Sequence, residues 1–276
     1  MPTIESRDGT SLNLRVWKPE GRIRGRVLLV HGLAEHMGRY EHVAAALNAA
    51  EFAVWGVELR GHGDSEGRPG HTERWSDYVD DVRAAAYAIG EPFYLVGHSM
   101  GGCIALDLVR GATKPQVLGV ALSNPLLGVA VEPPAWKTMA GRLMSNIWPT
   151  LSLDNEIDPT WVSRDPNVVK LYQDDPKVFS VVSARWYTEL VAAMERIHSH
   201  AGRYRTPLLL LVGTSDRLVD PNASQAFFEH HGAPDKDMLV YEGLYHELFN
   251  EPEKDQIFHD LCTWLRRETT LQPELS

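Results

Sequence analysis

A serine flanked by glycines follows an apolar run in the segment YLVGHSMGGCIAL, residues 94–106. Gly97 to Gly101 has the pattern G-x-S-x-G, in which the serine occupies a strained turn between a strand and a helix. Such a turn holds the hydroxyl out at the carboxyl edge of a sheet, and the helix N-terminus behind it favours developing negative charge. The pattern predicts that Ser99 is a nucleophile.

A serine hydroxyl needs a histidine as general base and an acid that orients the histidine. His246 is the best placed of the twelve histidines, because it follows the last predicted strand and precedes the terminal helix. Asp216 lies in the loop TSDRLVDP, directly after the apolar strand LLLLVG. Asp220 in the same loop is the alternative acid, although its position before Pro221 is better explained as a helix N-cap. The sequence therefore predicts a triad of Ser99, Asp216 and His246.

Hydrolysis through such a triad also needs backbone N–H groups that stabilise the oxygen of the tetrahedral intermediate. Met100 supplies one by its position after the nucleophile. Leu33, in the loop VHGLAEHMGRY after an early strand, is the predicted second donor. His31 in the same loop is interpreted as a residue that orders the loop.

Short apolar runs alternate with longer helical patterns, and these elements must position the candidate residues. Strands apolar on both faces are predicted at 26–30, 53–58, 93–96, 118–123, 207–213 and 238–241. Helices are predicted at 40–50, 75–89, 100–110, 221–231 and 253–267. The alternation indicates a mostly parallel α/β sheet, with residues 12–17 as an antiparallel first strand.

The alternation stops between about residues 126 and 200, where prolines separate short helical segments. This region is predicted to be a helical insertion in a core formed by residues 1–125 and 201–276. The segment WKTMAGRLMSNIW has an apolar face at helical spacing, with Pro133 and Pro134 before it and Pro149 after it. The apolar residues are Trp136, Met139, Ala140, Leu143, Met144, Ile147 and Trp148.

Composition and missing motifs exclude several classes of function. The chain has 276 residues and a formal net charge of −10, which argues against a nucleic-acid partner. No apolar run is long enough to span a bilayer, and with only two cysteines we expect a cytoplasmic location with peripheral contact at membranes. His246-Glu247 begins like a zinc motif, but Asn250 stands where the second histidine would be. We therefore expect no metal and no cofactor.

Six segments of the chain form a recognisable set: HGLAEHMGRY, LRGHGDSEG, GHSMGG, SRDPNVVKLYQDDP, GTSDRLVDP and GLYHELFNEPE. Together they resemble the serine α/β-hydrolases of the monoacylglycerol lipase group, with lysophospholipases as close relatives. The resemblance extends from about residue 12 to residue 265. It implies an α/β-hydrolase fold, with a mostly parallel central sheet, helices on both faces and a helical cap, or lid, at residues 126–200.

The resemblance implies the same triad and the same two amide donors. It further implies that Glu35, Arg39 and Tyr172 arrange a polar pocket for the hydroxyls of glycerol. Two positions depart from many relatives. Glu58 stands in place of an aspartate before RGHG, and Phe249 replaces a histidine that some relatives use near the glycerol.

The expected function is hydrolysis of monoacylglycerols to fatty acid and glycerol through an acyl-enzyme, without a cofactor. Lysophospholipase, carboxylesterase and thioesterase activities stay open, because they would use the same triad. A binding module is disfavoured, since all three catalytic groups occur in order. The apolar helix of the insertion either packs on the core or lines the acyl channel and docks transiently on lipid, for which its terminal tryptophans, Lys137 and Arg142 are suited.

Overall fold

The structure, a computed structural model, describes residues 2–111, 115–131 and 134–271, without the side chains of residues 135 and 137. The strands in these ranges are β1 (Thr3–Glu5), β2 (Ser11–Trp17), β3 (Gly25–Val30), β4 (Phe52–Val57), β5 (Phe93–His98), β6 (Val117–Ser123), β7 (Ser152–Asp154), β8 (Val181–Ser183), β9 (Leu208–Gly213) and β10 (Lys236–Tyr241). The α-helices are α1 (Glu41–Ala49), α2 (Trp75–Ile89), α3 (Met100–Arg110), α4 (Ala135–Ile147), α5 (Pro166–Asp174), α6 (Ala184–Ser199), α7 (Pro221–His230) and α8 (Lys254–Thr270).

Eight strands form one twisted sheet in the order β1-β2-β4-β3-β5-β6-β9-β10. The strands from β4 through β10 in this order are parallel, whereas β2 runs antiparallel to both β1 and β4. The predicted parallel sheet and its antiparallel first strand are therefore confirmed. The three-residue strand β1 at the edge was not predicted from the sequence.

The central strands are apolar throughout because helices cover both faces of the sheet. Alternate residues of β3 point to opposite faces: Val27 and Leu29 join a cluster with α1 and α8. Leu28 and Val30 join a second cluster with α2, α3 and α6. Two buried layers of apolar side chains thus fix the sheet and keep the carboxyl ends of its strands in a constant position.

The strand order reverses between β3 and β5, because the chain goes from β3 outward to β4 and then returns to β5 on the other side. At such a switch point the loops after the two strands diverge and leave a crevice at the carboxyl edge of the sheet. The loop after β3 carries the predicted amide donor Leu33, and the turn after β5 carries Ser99. The topology therefore brings the two predicted halves of the site together.

Residues 124–207 connect the adjacent parallel strands β6 and β9. In this connection β7 and β8 form a two-stranded antiparallel ribbon, and α6 packs on α2 and α3. Residues 162–164 contact the loop after β10, where the Glu247 N–H donates to the Val162 carbonyl oxygen at 2.8 Å. One part of the connection is thus attached to the loop that carries His246.

Helix α4 packs on α6 through its polar side. The Ser145 side chain is 3% exposed and hydrogen-bonds Thr188 at 2.8 Å. The large apolar side chains point outward, with exposures of 69% for Trp136, 71% for Met139, 59% for Leu143, 69% for Ile147 and 57% for Trp148. The predicted apolar face exists, but apart from the half-buried Met144 its large side chains do not pack on the core. Pro133 and the Lys137 side chain lie outside the described residues.

Across the described ranges, no helix combines the length and the apolar character that crossing a bilayer requires.

Candidate active site

Ser99 occupies a sharp turn between the end of β5 and the start of α3. Its φ of 52° and ψ of −119° lie in a sparsely populated region that costs on the order of 1–3 kcal/mol. Neighbouring glycines permit the close approach: a Cβ on Gly97 would meet the Gly101 carbonyl oxygen at 2.7 Å. A Cβ on Gly101 would lie 2.5 Å from the His31 carbonyl oxygen. The glycines next to Ser99 are therefore required by backbone contacts around a strained serine.

His246 is hydrogen-bonded to Asp216 through Nδ1 and Oδ2 at 2.7 Å, and both side chains are buried. The other carboxylate oxygen of Asp216 accepts from the backbone N–H groups of Leu218 and Val219 at 2.8 and 3.0 Å. Because the ionised carboxylate of Asp216 can only accept hydrogen bonds, the imidazole of His246 must donate from Nδ1. The Nε2 lone pair of neutral His246 is then available to a proton donor.

The alternative acid, Asp220, has a different role in the structure. It is the N-cap of α7, and its Oδ1 accepts from the Asn222 N–H at 2.9 Å, with Pro221 at the first helical position. Asp216 is thus the carboxylate that hydrogen-bonds His246, and Asp220 stabilises a helix end.

The pKa of His246 is raised above its usual 6.5. Burial lowers this pKa, but the negative charge of Asp216 and its hydrogen bond raise it by more. The ring of His98 lies nearby, with its centroid 4.7 Å from that of His246. Burial lowers the pKa of His98 to about 4, so this second ring is neutral at neutral pH.

Asn124 connects the loops that carry the acid and the base. Its side-chain Nδ2 donates to the carbonyl oxygens of Tyr245 and His246 at 3.0 and 2.7 Å. Its Oδ1 accepts from the Gly213 N–H at 2.8 Å, at the end of the strand before Asp216. A single amide side chain therefore fixes the spacing of the acid and base loops, a role that the sequence analysis missed.

The loop after β3 lies against the nucleophile. A Cβ on Gly32 would be 3.2 Å from Cβ of Ser99, so the next residue, Leu33, begins close to the serine. Neither the Leu33 nor the Met100 N–H donates to any of the described residues. His31 accepts at Nε2 from the Leu59 N–H at 3.1 Å, which is the ordering role expected of it.

A buried ionic cluster lies beside this loop. Arg39 donates from Nη1 to Glu35 at 3.0 Å, and from Nη1 and Nη2 to the two oxygens of Glu247 at 2.7 Å each. The guanidinium carbon lies 4.8 Å from the ring centroid of Tyr172. The structure thus brings together the three residues predicted for a polar pocket, Glu35, Arg39 and Tyr172, and adds Glu247.

Glu247 was missed because the sequence analysis considered it only as part of a metal motif. Burial raises its pKa, but Arg39 outweighs burial and holds the pKa below its usual value. Phe249, which the resemblance singled out, is buried and stacks on Phe258 with 6.0 Å between ring centroids. A carboxylate one residue after the base is the signal that could have identified Glu247.

Glu58, which the resemblance also singled out, is fully buried. It accepts from the Asn13 side chain at 2.9 Å and from the Asp64 N–H at 2.7 Å. These bonds tie the loop after β4 to β2.

A cavity of about 600 Å³ extends from the serine between the sheet edge and residues 126–200. Ser99, His246, Glu35, Glu247 and Tyr172 are among the residues at its polar end. The remaining wall is largely apolar, and includes Leu126, Val129, Leu153, Ile157, Trp161, Val162, Val182, Trp186, Leu190, Leu218 and Val219. The arrangement can hold a long apolar group with a polar group next to the serine. No cluster of three or more His, Cys, Asp or Glu side chains that could hold a metal occurs in the part of the chain described.

The sheet order, the strained serine and the Asp216–His246 pair define an α/β-hydrolase fold, and a comparison with solved structures agrees. Monoacylglycerol lipase from Paleococcus ferrophilus superposes with a TM-score of 0.85 at 35% identity, covering 93% of this chain and 99% of that one. The chain belongs to the Hydrolase_4 family, described as serine aminopeptidase, S33, whose profile matches residues 21–253.

Two curated relatives differ in length. A monoacylglycerol lipase of Mycolicibacterium smegmatis is 33% identical over 264 residues, and the match covers 93% of each chain. An uncharacterized abhydrolase domain-containing protein of Dictyostelium discoideum is 31% identical over 262 residues, or 94% of this chain. The present chain spans only 28% of the length of the Dictyostelium protein.

Proposed function

We propose that this chain hydrolyses monoacylglycerols to a fatty acid and glycerol. The observation that carries the proposal is the strained Ser99 at the junction of a long apolar cavity and a buried polar cluster, with the Asp216–His246 pair beside it. An ester with an acyl chain on one side and a polyol on the other matches both ends of this cavity. The monoacylglycerol lipases among the relatives support the same substrate class.

In the proposed mechanism, His246 Nε2 takes the proton from the Ser99 hydroxyl as its oxygen attacks the ester carbonyl. Asp216 keeps the imidazole oriented and stabilises the imidazolium that forms. The Leu33 and Met100 N–H groups donate to the developing oxyanion. His246 then protonates the departing glycerol oxygen, and a water that it deprotonates releases the fatty acid from the acyl-enzyme.

The polar end of the cavity is proposed to bind the glycerol hydroxyls. Glu35 also accepts from the Gly32 N–H at 2.6 Å and from Tyr40 at 2.8 Å, which fixes its position beside the amide-donor loop. Arg39 and Tyr172 are proposed to form the rest of this binding site. Arg39 holds the carboxylates of Glu35 and Glu247 in place. Because a site built for hydroxyls leaves its polar groups unpaired with other alcohols, it discriminates in favour of glycerol.

Residues 126–200 are proposed to form a cap that lines the acyl channel and contacts lipid transiently. Helix α4 turns five large apolar side chains outward, including tryptophans at both ends. An amphipathic helix with this composition lies at a membrane interface with its apolar face in the acyl boundary. A cytoplasmic location, with peripheral contact at membranes, belongs to the same proposal.

A substrate panel tests the proposed function directly. We expect a larger kcat/KM for a monoacylglycerol than for the diacylglycerol, triacylglycerol, lysophospholipid or acyl-CoA with the same acyl chain, measured as released fatty acid. A methyl ester of that chain controls for recognition of the acyl group alone. Faster hydrolysis of the lysophospholipid or of the thioester would replace the proposal with that activity.

A further inference from the structure

The buried cluster at the polar end of the cavity, Glu35, Arg39 and Glu247, contains two acidic side chains and one basic side chain. Arg39 is shared by Glu35 and Glu247, and all three side chains are at most 10% exposed. Glu35 accepts three hydrogen bonds, from Gly32, Tyr40 and Arg39, which is the pattern of a carboxylate. Two carboxylates paired with one guanidinium give this cluster a net negative charge. The charge lies next to the position that the departing alcohol of the ester would occupy.

Glu247 contributes this surplus charge. The pair of Arg39 with Glu35 alone would be neutral, and Glu247 adds a second carboxylate bound through both oxygens. Asn250 donates to the same carboxylate at 2.8 Å and restrains it. The charge is therefore fixed in position, with little freedom to turn away from a bound head group.

The rest of the cavity does not offset that charge. Its charged lining in the described ranges comprises Glu35, Asp154, Glu156, Glu247 and Arg217. The Arg217 guanidinium lies over the ring of Tyr245, 5.2 Å from its centroid. With Arg39 counted as well, the acidic side chains at the cavity still outnumber the basic ones, so the cavity repels an anion.

We propose that Glu247 is a specificity-determining residue that excludes esters with a negatively charged alcohol group. This inference rests on the proposed function and narrows its substrate class to esters of uncharged polyols. A phosphate on the glycerol would approach the Glu35–Arg39–Glu247 cluster, where the guanidinium donors already bind carboxylates. Unlike charges exposed to water, charges in a buried pocket are only weakly screened, so the repulsion persists.

The test compares two esters with the same octanoyl chain, 1-octanoylglycerol and 1-octanoylglycerol 3-phosphate, both below their micelle concentrations. In the wild type we expect kcat/KM for the neutral ester to exceed that for the phosphate ester by about 100-fold or more. The unit of negative charge on Glu247 should account for a factor of about ten in this ratio. Glu247→Gln keeps the shape of the side chain and removes the charge. This substitution should reduce the preference by about tenfold.

Glu91→Gln is the matched control. Glu91 is an exposed carboxylate that pairs with Arg26, and it lies just before β5, at the edge of the sheet opposite to the one that carries Ser99. This substitution changes the net charge of the protein equally and should leave the preference unchanged. An unchanged preference in Glu247→Gln, or an equal change in the control, would overturn the assignment to Glu247. Thermal melting of each variant establishes that it is folded.

The wild type alone keeps the proposal testable if Glu247→Gln does not fold. Its kcat/KM for the neutral ester should still exceed that for the phosphate ester by about 100-fold or more. Equal kcat/KM values for the two esters at low salt would contradict the inference while leaving the proposed function intact. If the wild type hydrolysed neither octanoylglycerol nor longer monoacylglycerols, the proposed function itself would fail.

Discussion

Helices α3 and α4 both carry large apolar side chains, but these side chains have opposite environments. In α3, ten of the eleven residues are buried, and its N-terminus lies directly behind Ser99. In α4 the polar Ser145 faces the protein, and four large apolar residues, Trp136, Met139, Leu143 and Ile147, face outward. An apolar stripe therefore indicates that one side of a helix is suited to an apolar contact, but it does not show that this contact lies within the same chain.

The different environments of α3 and α4 predict different effects of substitution in the two helices. Substitutions in the core around α3 are expected to affect chemistry or stability, because every side chain there already has its contacts. Substitutions on the outer face of α4 are expected to affect only access to lipid, since these side chains lose nothing within the folded protein. Four predictions test this division.

The largest effect is expected at the start of α3. Ser99→Ala should lower kcat by on the order of 10⁴-fold or more, since the nucleophile is lost. The fold should remain intact because the hydroxyl contributes little packing. Ester hydrolysis and labelling with a fluorophosphonate probe measure the loss, and circular dichroism measures the fold. Near-normal turnover in folded Ser99→Ala would exclude a serine nucleophile.

The two acids of the loop after β9 provide the second test. Asp216→Asn should lower kcat by up to about 10⁴-fold, because the amide no longer holds His246 in the correct tautomer. Asp220→Asn should retain most activity and weaken the α7 cap by at most about 1 kcal/mol. Steady-state kinetics and urea unfolding of both variants separate the effects. A reversed pattern would transfer the role of acid to Asp220.

The third test compares one leucine from each helix. Leu143→Asp on α4 should reduce hydrolysis of micellar monoacylglycerol by about tenfold, corresponding to the lost burial of one apolar side chain in lipid. It should spare a short-chain ester in solution and leave the melting temperature unchanged. Leu108→Asp on α3 buries an unpaired charge and should destabilise the protein by several kcal/mol. Loss of stability in Leu143→Asp would show that α4 belongs to the packed core.

The smallest expected effect is a shift in the pH profile. Protonated His246 cannot accept the serine proton, so kcat/KM should fall as pH drops through the pKa of His246. Because this pKa is raised, we expect the fall at a pH above 6.5. Glu247 contributes to the raised pKa, and Glu247→Gln should move the acid limb to lower pH. An unmoved limb would show that Glu247 does not act on the base.

Most of the core was predictable because its signals are local. The bounds of α2 and α3 match the predicted 75–89 and 100–110, since each helix begins and ends at a break in apolar spacing. The acid and base could be selected because loops after parallel strands meet at one edge of the sheet. The structure pairs Asp216 with His246 as that argument requires.

The remaining features depend on contacts between distant segments. Asn124 hydrogen-bonds two loops that lie 89 and 122 positions further along the chain, and nothing near it in the sequence indicates that role. Glu247 is linked to Arg39, which lies 208 positions away along the chain. The outward turn of α4 depends on which of its sides fits α6, and the short β7–β8 ribbon has too few residues to give a periodic signal.

The connection between β6 and β9 also has a consequence for how this fold can diversify. Its two ends leave and rejoin neighbouring strands that are already hydrogen-bonded to each other. Lengthening a loop between fixed ends costs little free energy, about 0.6 kcal/mol for each doubling. Helix α6 alone would complete an ordinary crossover, so the sheet does not depend on the segments that precede it. New substrate ranges can therefore arise by exchange of these segments, provided that the contacts of residues 162–164 with the loop that carries His246 are kept.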